Sequence, residues 1–257
     1  MKALDFLQQL AGRYNNTDID WEQILAEQYS AALNSPRAIV DVGAHLGLHT
    51  ERFLNLGAEV IAFEPIPHLA DALRLRFSGK RLRVEAKALS NREGESTFVV
   101  NHTAPGQSGL LARLDTPDSA LLQQIAVELI PLDHYQLQNI DFIKIDCEGA
   151  EPIILEGGTK TIRTSRPLIS VEYGQPGYEA YGLNKKTLYD WATTFDYFVS
   201  DLFGNPFETP EEYDACVNIY YWDYFLIPKE KMETMARLKT NGSRLNSDLQ
   251  SYSLTPS

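Results

Sequence analysis

The chain has 257 residues, enough for one sizeable α/β domain with short additions at its ends and too few for two full domains. Its 44% hydrophobic and 23% charged residues fit a soluble globular protein. Its two cysteines, Cys147 and Cys216, exclude a disulfide scaffold or a zinc cluster. A net charge of −12 works against nucleic acid, whose affinity rests on neutralised phosphates, so no nucleic-acid partner is expected.

Residues 1–10 place a charge and two glutamines inside an apolar pattern, which predicts an amphipathic helix rather than a signal peptide. No run approaches the roughly 20 apolar residues that span a bilayer. A cytoplasmic address is the default expectation, with no membrane span. Helical spacing continues to Asn34-Ser35-Pro36, which breaks it, so residues 1–36 read as an N-terminal helical extension.

Strands and helices then alternate. Ala38–Val42 is a short apolar run of the kind found in buried parallel strands. Residues 46–56 predict a helix closed by Gly57, 59–64 a second strand and 67–77 a second helix. Arg74, Arg76, Lys80, Arg81 and Arg83 read as a solvated helix end and turn rather than an RNA site. Residues 81–89 predict a third strand, while 97–100 and 125–130 read as antiparallel additions. Residues 140–146 form another core strand, and Pro152 suits the first turn of the helix after it. Strand 168–172, helix 185–195 and strands 197–201 and 219–226 complete the pattern. From about Thr240 the chain is rich in Ser, Asn and Thr without an apolar period, which predicts a flexible or loosely docked tail over 240–257. The α/β domain thus spans 37–239, a doubly wound, mostly parallel sheet covered on both faces.

Asp41-Val42-Gly43-Ala44-His45-Leu46-Gly47 joins the first strand to its helix. In such sheets ligands bind outside the carboxyl ends of the strands. Gly43 permits a tight turn and close approach to a ligand, Gly47 would let the helix pack against the strand, and Asp41 suits an ammonium group. The loop lacks the G-x-G-x-x-G spacing of dinucleotide sites and the Lys-Ser/Thr of a P-loop, so alone it also fits an ordinary turn. Glu64 ends the second strand, where a carboxylate can bind both ribose hydroxyls or cap the helix at Pro67.

Together with Phe63-Glu64-Pro65, Ala88-Leu89-Ser90 followed by Gly94, and above all Ile140-Asp141-Phe142-Ile143-Lys144-Ile145-Asp146-Cys147-Glu148-Gly149-Ala150-Glu151, the chain resembles the FkbM-type methyltransferases over residues 37 to 175. They are a branch of the class I Rossmann-like enzymes. The resemblance implies a seven-stranded sheet and an S-adenosylmethionine-dependent methyltransferase, with O-methylation of a saccharide or other small-molecule hydroxyl. It implies cofactor contacts at Asp41, Gly43, Ala44, His45, Gly47, Glu64, Pro65, Ala88, Leu89 and Asp146, with ribose on Glu64 and adenine near Ala88 and Leu89. His45 stands where the family usually has Asn. The rival reading is a Rossmann-like binding module that has lost turnover.

Methyl transfer to a hydroxyl needs in-line alignment and removal of a proton. Asp146 is the first candidate for base or orienting group, then Glu148, then Glu172, with His45 as a further proton acceptor. Asp146 and Glu148 could instead position Lys144 or cap the next helix. The three acids also suit Mg²⁺, although no spacing requires a metal and no metal ligands are assigned. His49 is expected to face solvent. The Gly106–Leu110 stretch predicts a loop over the cofactor or a hairpin connection, and Tyr173, Tyr178 and Tyr181 either line an acceptor pocket or pack at the surface.

Overall fold

A computed structural model describes residues 20–219 and 221–252. The predicted helix over residues 1–10 lies outside them. Helix α1 (Trp21–Ala32) starts where the Asp20 side chain accepts the Gln23 N–H at 2.9 Å. It buries Ile24, Leu25, Gln28, Tyr29 and Ala32.

The main sheet holds β1 (Ala38–Val42), β2 (Glu59–Phe63), β3 (Leu82–Glu85), β7 (Phe142–Ile145), β8 (Leu168–Glu172), β9 (Tyr197–Ser200) and β10 (Asp223–Pro228). Their order is β3-β2-β1-β7-β8-β10-β9, with β10 antiparallel to both neighbours. A second sheet, β4-β6-β5, comprises β4 (Ala88–Leu89), β5 (Gly94–Asn101) and β6 (Leu122–Ile130). The remaining helices are α2 (Leu48–Asn55), α3 (Pro67–Arg76), α4 (Glu151–Gly157), α5 (Thr159–Ser165), α6 (Gln175–Ala180), α7 (Thr187–Thr194), α8 (Pro210–Cys216) and α9 (Met232–Tyr252). Among the described residues no helix is long and apolar enough to cross a membrane.

The chain leaves β1 toward β2 on one side and returns to pair β7 on the other. That reversal opens a crevice at the carboxyl ends of β1 and β7. Both strands are apolar throughout except Asp41 and Lys144, which are register partners and both buried. Beneath them Tyr29 packs its ring 5.3 Å from Phe53 and 5.1 Å from Phe142 and shares a 3.1 Å hydrogen bond with Ser170. Helix α1 is thereby fastened to the sheet centre by an aromatic cluster.

Three strand expectations change. The run 81–89 is two strands: β3 borders the main sheet, while Ala88 and Leu89, both buried, pair with β6 instead. An alternating pattern does not show which sheet each half joins. β5 and β6 are antiparallel as expected, but longer, because their outer halves carry exposed polar residues such as Glu95, Gln123 and Gln124. The last strand starts at Asp223 and runs to Pro228, not over 219–226.

The flexible tail expected from Thr240 is, to Tyr252, the second half of α9. Its docking uses few side chains. Asn241 donates to Gln28 at 3.0 Å, Arg244 pairs with Glu27, and Leu245 is buried. A Cβ on Gly242 would sit 2.0 Å from the Phe203 carbonyl oxygen, so this turn seats its bare backbone on the neighbouring chain. Such a contact leaves no apolar period to read.

Candidate active site

At the end of β1, the Gly43 and Ala44 N–H groups donate to the Phe63 carbonyl at 3.0 and 3.1 Å, binding the loop to β2. Gly43 has φ +78°, and a Cβ there would lie 2.0 Å from the Asp146 carbonyl oxygen. The close approach that requires glycine is therefore between the ends of β1 and β7. Gly47, at φ +84°, faces Leu73 and Phe77 of the α3 region, 2.6 and 2.7 Å from where its Cβ would stand. It packs helix on helix rather than helix on strand.

Glu64 is 3% exposed. One carboxylate oxygen accepts the His45 N–H at 2.8 Å and the other the Ile66 N–H at 2.9 Å. Burial outweighs these bonds and lifts its carboxyl to about 7. His45 adopts φ +48° to present that N–H, and burial pushes its imidazole pKa down. Asp41 does not border the cleft. Its Oδ2 accepts the Thr50 hydroxyl at 2.6 Å, while Oδ1 has no hydrogen-bond partner among the described residues. Burial raises its carboxyl, with Lys144 pulling the other way.

An apolar-walled cleft opens above this loop. Ile66, Ala88, Leu89, Phe98, Leu110 and Ile154 supply its apolar wall. Gly43, His45, Glu64, Pro65 and Asp146 also border it; Ala44 and Gly47 do not. Pro105, Gly106 and Ser108 close one side. The Ser108 hydroxyl is committed to the loop itself, accepting the Asn101 N–H at 3.0 Å and donating to the Pro105 carbonyl at 2.8 Å.

Beside the cleft lies a buried charge network. Lys144, its side chain 5% exposed, donates to Asp146 at 2.9 Å. Burial alone would lower the Lys144 pKa, but the Asp146 and Asp41 carboxylates hold it above the usual lysine range. Burial likewise works to raise Asp146, yet Lys144 and a hydrogen bond from Glu172 hold it below the usual carboxylate range. The Asp146 charge and burial push Glu172 well up, opposite in direction to Asp146. Asp223, opposite Glu172 in register, is raised to about 7 by burial and by Asp146.

Glu148, at φ +57°, accepts from Arg113 at 3.0 Å. Burial and Asp146 raise it to about 7 against the pull of Arg113. Arg113 also grips Asp115 with two bonds of 2.9 and 2.8 Å and lies 4.9 Å over the Trp222 ring. Glu148 and Glu172 border not the cleft but a small pocket beside it, with Arg113, Gly174 and Trp222. Among the described residues no group of three or more His, Cys, Asp and Glu side chains is arranged to hold a metal ion.

Residues 41–201 match the family described as the methyltransferase FkbM domain, well over half of the chain. The chain belongs to the FkbM methyltransferase family. It is also 29% identical over 161 residues to the 2-O-methyltransferase NoeI of Sinorhizobium fredii, spanning 55% of this chain and 65% of that protein. Among solved structures it is similar to the methyltransferase FkbM of Methylobacillus flagellatus, with TM-score 0.49 and 16% identity, covering 78% of this chain and 47% of that one. It is also similar to an O-methyltransferase from Bacillus cereus in complex with SAH, with TM-score 0.44 and 15% identity, covering 87% and 89%. The seven-stranded, mostly parallel sheet is the class I methyltransferase architecture.

Within this FkbM domain the structure gathers Gly43, His45, Glu64, Pro65, Ala88, Leu89 and Asp146 around one cleft and sets Asp41, Ala44 and Gly47 behind it. His49 does not face solvent. It is 8% exposed, packs 6.2 Å from Phe53, and is pushed to about 3 by burial, so it is neutral. Tyr173 and Tyr178 are buried and stack 4.5 Å apart, with Tyr173 donating to the Asn184 carbonyl at 2.8 Å; they and Tyr181 border neither the cleft nor the small pocket. Phe98, Arg113 and Asp223 escaped the sequence reading. Phe98 reaches the cleft from the second sheet, and Arg113 and Asp223 lie outside the motifs the sequence singles out. The one available signal was Lys144, a lysine inside a buried strand, which demands a carboxylate partner.

Proposed function

We propose that this FkbM domain binds S-adenosylmethionine in the cleft at the ends of β1 and β2 and methylates a hydroxyl of a saccharide or other small molecule. The observation that carries this is Glu64, a nearly buried carboxylate bordering the cleft within reach of an apolar wall. That donor set fits an adenosine: two hydroxyls for the carboxylate's remaining lone pairs, and a flat base against Leu89, Phe98 and Leu110. The 2-O-methyltransferase activity in the name of NoeI supports a hydroxyl acceptor.

Bound there, S-adenosylmethionine supplies an electrophilic methyl carbon. Asp146, held ionised by Lys144 and bordering the cleft, accepts a hydrogen bond from the acceptor hydroxyl and aligns its oxygen. A proton on that oxygen becomes strongly acidic as the new carbon–oxygen bond forms, so a carboxylate held low still takes it. Glu172 and Lys144 keep Asp146 in this state.

Asp146→Asn is expected to lower turnover about 10²- to 10⁴-fold. Its affinity for S-adenosylhomocysteine should stay within a few-fold of wild type, measured by labelled methyl transfer and calorimetry. His45→Ala, tested alongside, should change both little, because its backbone N–H makes the contact with Glu64. A hundredfold loss of turnover in His45→Ala with Asp146→Asn active would reassign the proton acceptor to the imidazole.

A further inference from the structure

The cleft has two walls that come from different sheets. Gly43, Glu64 and Asp146 follow strands of the main sheet. Leu89 and Phe98 belong to the second sheet, and Pro105, Gly106, Ser108 and Leu110 to the loop 102–121 that joins β5 to β6. A ligand between the walls keeps contact with both only while their spacing holds. The loop is closed on itself at its base. The His102 N–H donates to the Leu121 carbonyl at 2.8 Å, and the Leu121 N–H donates to the Thr103 hydroxyl at 2.9 Å. Gly109 exchanges bonds of 2.8 and 3.1 Å with Val99 of β5, which ties the cleft-lining half to the second sheet.

The other half crosses to the main sheet. Arg113, near the middle of the loop, bonds Glu148 at 3.0 Å, with both side chains nearly buried. The Leu114 N–H donates to the Pro176 carbonyl of α6 at 3.2 Å. Glu148 directly follows Asp146 and Cys147, which both border the cleft. The ion pair therefore joins the two walls at the end where Asp146 stands. The guanidinium is engaged on several sides: Asp115 accepts two bonds of 2.9 and 2.8 Å, and the Trp222 ring lies 4.9 Å away. A planar fork held in this way has one orientation, which an ammonium does not reproduce. Gly109 passes so close that a Cβ on it would stand 3.4 Å from the Glu148 Cβ, so the loop backbone rests on the residue that Arg113 grips. Parting a buried pair strands both charges, which keeps the loop on Glu148.

We infer that Arg113 is a positioning residue: through Glu148 it clasps the two walls of the cleft and so sets how long a ligand held between them stays. The choice of S-adenosylhomocysteine as probe rests on the methyltransferase reading of the cleft. Two measurements on the whole chain test the clasp. Arg113→Gln should speed dissociation of S-adenosylhomocysteine at least tenfold in stopped-flow displacement, with the association rate within a few-fold of wild type. In the free protein the same change should speed amide hydrogen exchange over residues 109–116 at least tenfold, while β1 and β7 exchange as in wild type. General loss of stability would not give that pattern. Should Arg113→Gln fail to fold, Asp115→Ala carries the test. Its side chain is half-exposed, it accepts two of the bonds that orient the guanidinium, and its removal should raise both rates at least threefold. A dissociation rate unmoved in the folded variant, or exchange that rises equally in β1 and β7, would overturn the clasp. No S-adenosylhomocysteine binding in wild type would overturn the cofactor reading. Exchange over 109–116 would then decide the clasp by itself, upholding it if local and faster in the variant and overturning it if unchanged.

Discussion

Glu64→Gln will weaken S-adenosylhomocysteine binding about a hundredfold and remove its pH dependence. The carboxylate is placed to accept from two ligand hydroxyls. Hydrogen bonds to a charged group contribute about 1.5–3 kcal/mol each, and 1.4 kcal/mol is a factor of ten in affinity. In the free protein burial lifts this carboxyl from the ordinary 4.5 to about 7. A ligand whose hydroxyls donate to the ionised form must expel the proton at lower pH. Wild-type affinity should therefore rise about tenfold per pH unit up to about pH 7 and then level off. Calorimetry below pH 7 should register close to one proton released per ligand. The stability sign is opposite to that of a salt-bridged acid. The folded state holds the Glu64 proton more tightly than the unfolded chain, so its contribution to stability declines as pH rises from about 4.5 to about 7. An affinity flat with pH in wild type, or unchanged in Glu64→Gln, would remove the ribose from Glu64.

Lys144→Met should destabilise the domain by about 3–5 kcal/mol, the usual cost of removing one partner of a buried ion pair. The ammonium is 5% exposed, bonded to Asp146 and in register beside Asp41, whose Oδ1 has no hydrogen-bond partner among the described residues. Without it two carboxylates are left in the sheet with no cation. The deficit should be full at pH 7.5 and shrink as pH falls through the carboxylate range. Wild-type Asp146 has a depressed pKa, and the stability it contributes is lost on protonation, whereas the variant's acids gain by becoming neutral. Urea unfolding at pH 7.5 and pH 5 measures this. A loss below about 1 kcal/mol at pH 7.5 would show that Lys144 is not what holds Asp146 ionised.

Much of this site is written locally in the chain. Asp41 to Gly47, Glu64 and Lys144 to Glu151 each end a strand, and period and punctuation place those strand ends correctly. What stayed hidden depends on which distant segments meet. Nothing near Arg113 marks it as the partner of Glu148, 35 residues later. Nothing near Asp223 marks it as the neighbour of Glu172, because an antiparallel last strand sets that register. The roles assigned within the loop also shifted. Asp41 has the right chemistry for a ligand contact, but it lies one residue too deep and serves Thr50 and the sheet. Gly47 is glycine for the sake of α3, and His49 occupies the aromatic cluster under α1. Helical and strand periods report burial, not the identity of the neighbour that makes a residue necessary.

The central claim is that one cleft holds the cofactor with its ribose on Glu64 and its reactive end toward Asp146. A crystal structure of the complex with S-adenosylhomocysteine tests it directly. The expected result places both ribose hydroxyls on the Glu64 carboxylate, adenine against Leu89, Phe98 and Leu110, and sulfur facing Asp146. Ligand bound with its ribose away from Glu64, or with its sulfur turned from Asp146, would contradict it.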